Sequence, residues 1–229
     1  MAAMACSSGT KVLIATPHSY GNECFGGEFS MAVTAAAEYL KNETEMLGIP
    51  LEILTGMEIY GTPETSEMLE CGDLLTLNGT KYALIEFGFE ETARNIYDIL
   101  ISVEKAGYIP VVAHPERYTC ICRDIEVAKE LVSHGCLLQI NKGSLTGFFG
   151  TDIMRTAILL MKKELAFCIA SDAHSPKRRT TDMSEAIHTV RELFSDETAE
   201  KLFYSNPLKI IKSEPFDKGA SRTAKKEYR

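Results

Sequence analysis

Short apolar runs recur along the chain, separated by longer stretches in which apolar residues return at helical spacing. The runs predict strands over 11–16 (KVLIAT), 51–56 (LEILTG), 82–85 (YALI), 109–113 (IPVVA), 136–140 (CLLQI) and 166–170 (AFCIA). Helices are expected between them: 25–47, closed by Gly48 and Pro50; one opening at Thr62-Pro63-Glu64, with Thr62 as N-cap and Pro63 in the first turn; 91–106, stopping at Gly107; 124–133, stopping near Gly135; and an amphipathic 152–163. The last two are 183–194 and 197–204, with Pro207 ending the second. Asn78-Gly79 signals a turn between two apolar runs. Alternating units of this length imply a parallel sheet with right-handed crossovers.

Most of these strands run into a residue that can bind metal. His18 follows Thr16-Pro17, Glu58 follows Gly56-Met57, and Glu86 follows 82–85 directly. His114 follows 109–113, Asn141 follows 136–140, and Ser171-Asp172-Ala173-His174 follows 166–170. In a β/α barrel the C-terminal strand ends share one face, where active sites are built. Three histidines and three carboxylates on that face suit a hydrolytic metal centre.

Composition narrows the class. A length of 229 residues fits one domain, and α/β barrels of this size occur as one. No apolar run approaches the roughly 18 residues that span a bilayer, and the first ten residues have no signal-peptide pattern. Cytoplasmic localisation without membrane insertion is the expectation. The seven cysteines are expected to be free structural thiols; Cys136 and Cys168 fall inside strand runs, and Cys120-Ile121-Cys122 lacks zinc-knuckle spacing. A net charge of −8 argues against a nucleic-acid partner. The segment from Glu214 onward carries five basic and three acidic residues and little apolar content, so 213–229 is expected to be a disordered basic tail.

Each candidate has a competing structural explanation. Asp172-x-His174 on an extended segment would put both side chains on one side; the alternative is a capping Asp beside a surface His. A buried Glu86 needs a cation or a proton, and a lysine partner would serve as well as a metal. In His114-Pro115-Glu116-Arg117 the proline ends the strand and leaves His114 at its mouth, while Arg117 can offer a bidentate fork to phosphate. Arg178 and Arg179 bring a second guanidinium to the same rim, although exposed arginines are common. Metals with two arginines suit hydrolysis of a phosphate ester. Asn141-Lys142-Gly143-Ser144 is a weaker candidate for substrate contact. His134 and His188 fall in helical patterns and are left out of the site. No cysteine is followed six residues later by arginine, so a thiolate phosphatase loop is absent. No glycine-rich nucleotide loop is present either.

Taken in order, Ile14-Ala-Thr-Pro-His18, Gly56-Met-Glu-Ile59, Leu84-Ile-Glu-Phe87, Ala113-His-Pro-Glu-Arg-Tyr118, Leu138-Gln-Ile-Asn141, Gly143-Ser-Leu145 and Ile169-Ala-Ser-Asp-Ala-His174 resemble the bacterial manganese-dependent protein-tyrosine phosphatases of the polymerase and histidinol phosphatase (PHP) superfamily. That family acts in capsule and exopolysaccharide regulation. The resemblance covers residue 1 to about 212. It implies a PHP-type metallophosphatase domain over 1–212, folded as a distorted (β/α)7 barrel with a cluster of three metal ions. His18, Glu58, Glu86, His114, Asp172 and His174 would be the ligands, Mn²⁺ the metal (with Fe or Zn²⁺ as alternatives), and Arg117 and Arg179 the phosphate grip. The implied activity is hydrolysis of phosphotyrosine by metal-activated water. The implied partner is the tail of a tyrosine kinase controlling polysaccharide export; an oligomer is left open. The family opens with a His-x-His strand that this sequence lacks, and Met1–Ser8 followed by Gly9 reads as the end of a helix. The expectation is therefore a barrel lacking its first strand and most of its first helix, about 30 residues. Lys142 stands where the family usually has a small residue. Two further readings stand beside this one: another phosphoesterase of the superfamily, such as a histidinol-phosphate phosphatase, or a degenerate barrel that binds a phosphoprotein without cleaving it.

Overall fold

The computed structural model describes residues 1–19 and 27–214. The expected start of the first long helix at Phe25, Cys24, and nearly all of the tail lie outside these residues. Helix α1 (Ala2–Ser7) opens the chain and turns at Gly9, whose φ of 94° suits a residue without a Cβ. Strand β1 (Val12–Ala15) follows, and α2 (Gly27–Met46) returns to β2 (Glu52–Thr55), which pairs with β1 in parallel.

One strand expected over 51–56, ending in a ligand, proves to be half of a break. Gly56 donates its N–H to Ala15 O at 2.9 Å, the last bond of the β1–β2 ladder. Two residues later β3 (Glu58–Tyr60) begins and pairs with a different sheet. Glu58 thus follows β2, as expected, and also opens a further strand. A Cβ at Gly56 would come within 3.0 Å of both Ile14 and Leu77, so glycine lets the chain pass between them.

The second sheet has five parallel strands in the order β3, β4 (Tyr82–Glu86), β5 (Ile109–Ala113), β6 (Leu137–Asn141) and β7 (Ala166–Ala170). Strands β4 and β5 are buried almost throughout, as parallel strands covered by helices must be. The two sheets touch through a parallel bridge between His18 and Glu58. Among the described residues the seven strands thus form two parallel sheets, not one closed ladder.

The connecting helices are α3 (Thr65–Cys71), α4 (Ala93–Lys105), α5 (Thr119–Arg123), α6 (Ile125–Ser133), α7 (Lys142–Leu145), α8 (Thr151–Lys162), α9 (Ser184–Leu193), α10 (Asp196–Glu200) and α11 (Asn206–Ile211). Two details depart from expectation, at Thr62 and at Pro207, while the turn expected at Asn78-Gly79 is present. Helix α3 starts at Thr65, with Glu64 as N-cap; Thr62 instead donates its N–H to Thr65 Oγ1 at 2.8 Å. Asn78-Gly79 lies in a tight turn with both φ values positive, leading into β4. Pro207 does not end the last helix: a π-turn over Lys201–Ser205 hands the chain to α11, where Pro207 sits in the first turn and no intrahelical N–H is missed.

The main core packs α4, α6, α8 and α9 onto one face of the five-stranded sheet, through residues such as Ile59, Ile85, Leu100, Val112, Leu138, Leu160 and Val190. Leu84, Val111, Leu137 and Phe167 fill the other face. All six described cysteines are free, and Cys136 and Cys168 are buried. No described helix is long and apolar enough to cross a membrane.

Candidate metal centre

The two glutamates form the floor. Glu58 and Glu86 are 5% and 6% exposed, and among the described residues no lysine or arginine pairs with either. Their partners are imidazoles. His18 Nδ1 lies 2.7 Å from Glu86 Oε1 and 3.3 Å from Glu58 Oε2. His114 Nε2 lies 3.2 Å from Glu58 Oε1 and 3.5 Å from Glu86 Oε2. Ligand atoms of His18, Glu58 and Glu86 all fall within 4.8 Å of one another.

Burial pulls the His114 imidazole down, but its hydrogen bonds to Glu58 and Glu86 outweigh that and push it up to about 9. The floor therefore draws positive charge. Two buried carboxylates neutralised only by imidazoles are a donor set that fits a divalent cation, and carboxylate with imidazole suits manganese, iron or zinc.

The expected Asp172 and His174 reach the same place by a different local route. The segment is not extended: Asp172 has φ of 46°. This left-handed turn still brings His174 Nδ1 to 3.6 Å from Asp172 Oδ1, while His174 Nε2 lies 3.3 Å from His18 Nε2. His114 and Arg179 also have positive φ, 36° and 50°. Three of the site's residues thus hold a backbone shape that ordinary side chains rarely adopt, a cost typical of functional sites.

Asp172 links the cluster to the arginines. Its Oδ2 accepts from Arg179 Nη2 and Asn141 Nδ2, and lies 3.8 Å from Arg117 Nη1. The Arg117 guanidinium sits between two rings, 4.2 Å from the centroid of Phe89 and 4.3 Å from that of Phe149. Burial lowers its pKa, and the nearby Asp172 opposes that shift. Arg178 does not enter the cluster; it is exposed, and its N–H and C=O both bond to Ser175 Oγ. Lys142 Nζ bonds to Thr180 Oγ1 at 3.3 Å and to the Asp182 carbonyl.

A supporting layer had no sequence signal beyond residue type. Glu116 is fully buried, and Oε1 accepts from Asn141 N at 2.9 Å and Ser144 Oγ at 2.6 Å, fixing the mouth of β6 to that of β5. Burial raises the Glu116 pKa, and these two bonds hold it back. Tyr118 donates to Ala113 O at 2.8 Å and accepts from Phe87 N at 3.1 Å, joining β5 to the end of β4. His134 and His188 are exposed and take no part; His134 Nε2 is 3.0 Å from Tyr97 Oη. Burial pushes the Cys168 thiol up to about 12, so it holds no thiolate.

Comparison with known proteins places this arrangement. The model of the capsular polysaccharide synthesis family CpsB/CapC matches residues 1–212. Tyrosine-protein phosphatase YwqE of Bacillus subtilis is 37% identical over 197 residues, 86% of this chain and 77% of that protein. Tyrosine-protein phosphatase CpsB of Streptococcus agalactiae is 34% identical over 76% of this chain and 74% of its own length. A chain from the crystal structures of YwqE and Streptococcus pneumoniae CpsB, described as metal-dependent tyrosine phosphatases, superposes with a TM-score of 0.85 at 34% identity, covering 95% of this chain and 87% of that one. On the extent of these matches in sequence and fold, the chain belongs to the CpsB/CapC family of capsular polysaccharide synthesis.

Proposed function

We propose that this chain is a metal-dependent protein-tyrosine phosphatase, acting on phosphotyrosine of a bacterial tyrosine kinase that regulates capsular or exopolysaccharide synthesis. Support comes from its relatives, which are named tyrosine-protein phosphatases. The observation that carries the reading is the junction at Asp172. There a carboxylate contiguous with the His/Glu cluster is held by Arg179 and faced by Arg117. Phosphate-ester hydrolysis needs both halves of that junction.

In this reading His18, Glu58, Glu86, His114, Asp172 and His174 hold the metal, and Mn²⁺ fits their mixed donor set. Bound divalent ions supply Lewis-acid polarisation of the phosphoryl group and water acidified to near neutrality. Arg117 and Arg179 orient the ester by donating N–H groups to its phosphoryl oxygens. Among the described residues Arg179 Nε is buried without an acceptor, a costly state that a phosphoryl oxygen would relieve. Phe89 and Phe149 cover both faces of Arg117, so its plane is fixed before substrate arrives. Asn141 donates its amide N–H to the same Asp172 oxygen that Arg179 contacts.

Phosphate release from a phosphotyrosyl peptide, compared with release from histidinol phosphate, tests this. Preferential turnover of the peptide in the presence of Mn²⁺ is expected. Turnover of histidinol phosphate alone would assign the site to another phosphoesterase of the superfamily.

A further inference from the structure

A cleft of about 200 Å³ opens beside the phosphate grip. It shares three residues with that assembly: Arg179 and Asn141, which bond Asp172, and Phe149, which stacks on Arg117. Lys142, Lys177 and Arg178 line the remainder, with Phe148 as a second ring packed edge-on against Phe149 at 5.0 Å. Asp182 and Glu185 also face it; with Arg179 paired to Asp172, three further cations meet two carboxylates, although the chain as a whole has a net charge of −8. The local excess is positive where the global balance is negative.

The cleft is built rather than incidental. His174 donates its N–H to Arg179 O at 2.8 Å, and Ser175 Oγ takes the N–H of Arg178 at 2.9 Å while donating to Arg178 O at 2.5 Å. These bonds close the 174–179 loop into a compact turn and hold Lys177 and Arg178 on its outer edge. Lys142 is half-buried, and its hydrogen-bond acceptors, Thr180 Oγ1 and the Asp182 carbonyl, are both uncharged. Burial lowers the Lys142 pKa, and the nearby Asp182 and Glu185 oppose that shift.

We propose that this cleft is a second anion subsite, which takes an acidic or phosphorylated side chain of the same peptide, close in sequence to the phosphotyrosine held by Arg117 and Arg179. The inference rests on the phosphatase reading for what occupies the first position. A single flanking side chain fits the volume. An extended peptide advances at most about 3.3–3.6 Å per residue, so a group a few residues away reaches a cleft that begins at Arg179 itself. The subsite therefore makes the enzyme selective for acidic or multiply phosphorylated tracts over isolated phosphotyrosine.

Binding of non-hydrolysable phosphonomethyl-phenylalanine peptides, measured by calorimetry on the Mn²⁺-loaded protein, tests this. Three peptides differ only in the flanking residue: Gln, Glu or a second phosphonate. The parental protein is expected to bind the two anionic peptides roughly tenfold more tightly than the Gln peptide. The K177E/R178E variant, altered only on the exposed loop edge, should lose that preference, and Lys142→Gln should reduce it. Equal affinities in the parental protein, or a preference that survives both variants, would overturn the subsite. Turnover of p-nitrophenyl phosphate, which has no flanking group, is measured alongside on the parental protein. If that ester is not hydrolysed while the binding preference holds, the phosphatase reading fails and the anion subsite stands. If it is hydrolysed without any preference, the subsite fails and the phosphatase reading stands.

Discussion

At the scale of residues, Asp172 joins what sequence alone presents as separate signals. Its carboxylate receives Arg179 and Asn141, and its backbone carbonyl lies 3.1 Å from His174 Nδ1. Replacing Arg117 or Arg179 by alanine should lower phosphotyrosine turnover by roughly 10²–10³-fold, the usual loss of a charge-assisted contact in the transition state, with metal content unchanged. Near-parental turnover in both variants, measured at saturating Mn²⁺, would remove the arginines from the phosphate grip. Glu58→Gln or Glu86→Gln should reduce bound metal, because each removes one of two buried carboxylates that only imidazoles neutralise. Elemental analysis of the purified variants reads this directly. Convergence of these side chains was legible in the sequence because each stands beside an apolar run. Glu116, Phe89 and Phe149 were not, since their contacts come from loops whose course no periodicity encodes. Glu116→Ala should cost about 1–3 kcal/mol of stability, by leaving Asn141 N–H and Ser144 Oγ buried without an acceptor. Denaturant titration checks it; a change near zero would mean that water replaces the carboxylate.

At the scale of elements, apolar runs located the strands well, because parallel strands covered on both faces read as continuous hydrophobic stretches. What they could not convey is which strand pairs with which. The run at 51–56 continues through Met57 into Glu58-Ile59-Tyr60 with no proline or turn cluster, yet the chain changes sheets there. That switch is enforced by close approaches that only glycine permits. At Gly61, just after β3, a Cβ would lie 2.3 Å from the buried Phe87 ring, so Gly61→Ala should destabilise the fold by about 1–3 kcal/mol through overpacking. An unchanged melting temperature would show that Phe87 can move aside. Pro207 misled for a related reason: a proline that looks like a terminator is tolerated in the first turn of a new helix, and the π-turn before it leaves no break in the sequence pattern.

At the scale of the whole molecule, the fold gathers the mouths of five strands around two glutamates while the helices cover the outer faces. We propose that the His/Glu cluster holds the catalytic metal and that no cysteine acts as nucleophile. The buried Cys136 and Cys168 are packing residues, and no Cys-x5-Arg loop exists to activate the others. Removing the metal should also lower the melting temperature, since an ion bound only by the folded state stabilises it by linkage. The most direct measurement is turnover of a phosphotyrosyl peptide by protein stripped with chelator and then titrated with Mn²⁺. Loss of activity on chelation, and its return in step with Mn²⁺ bound, is the expected result. Full turnover in the metal-free protein would contradict it.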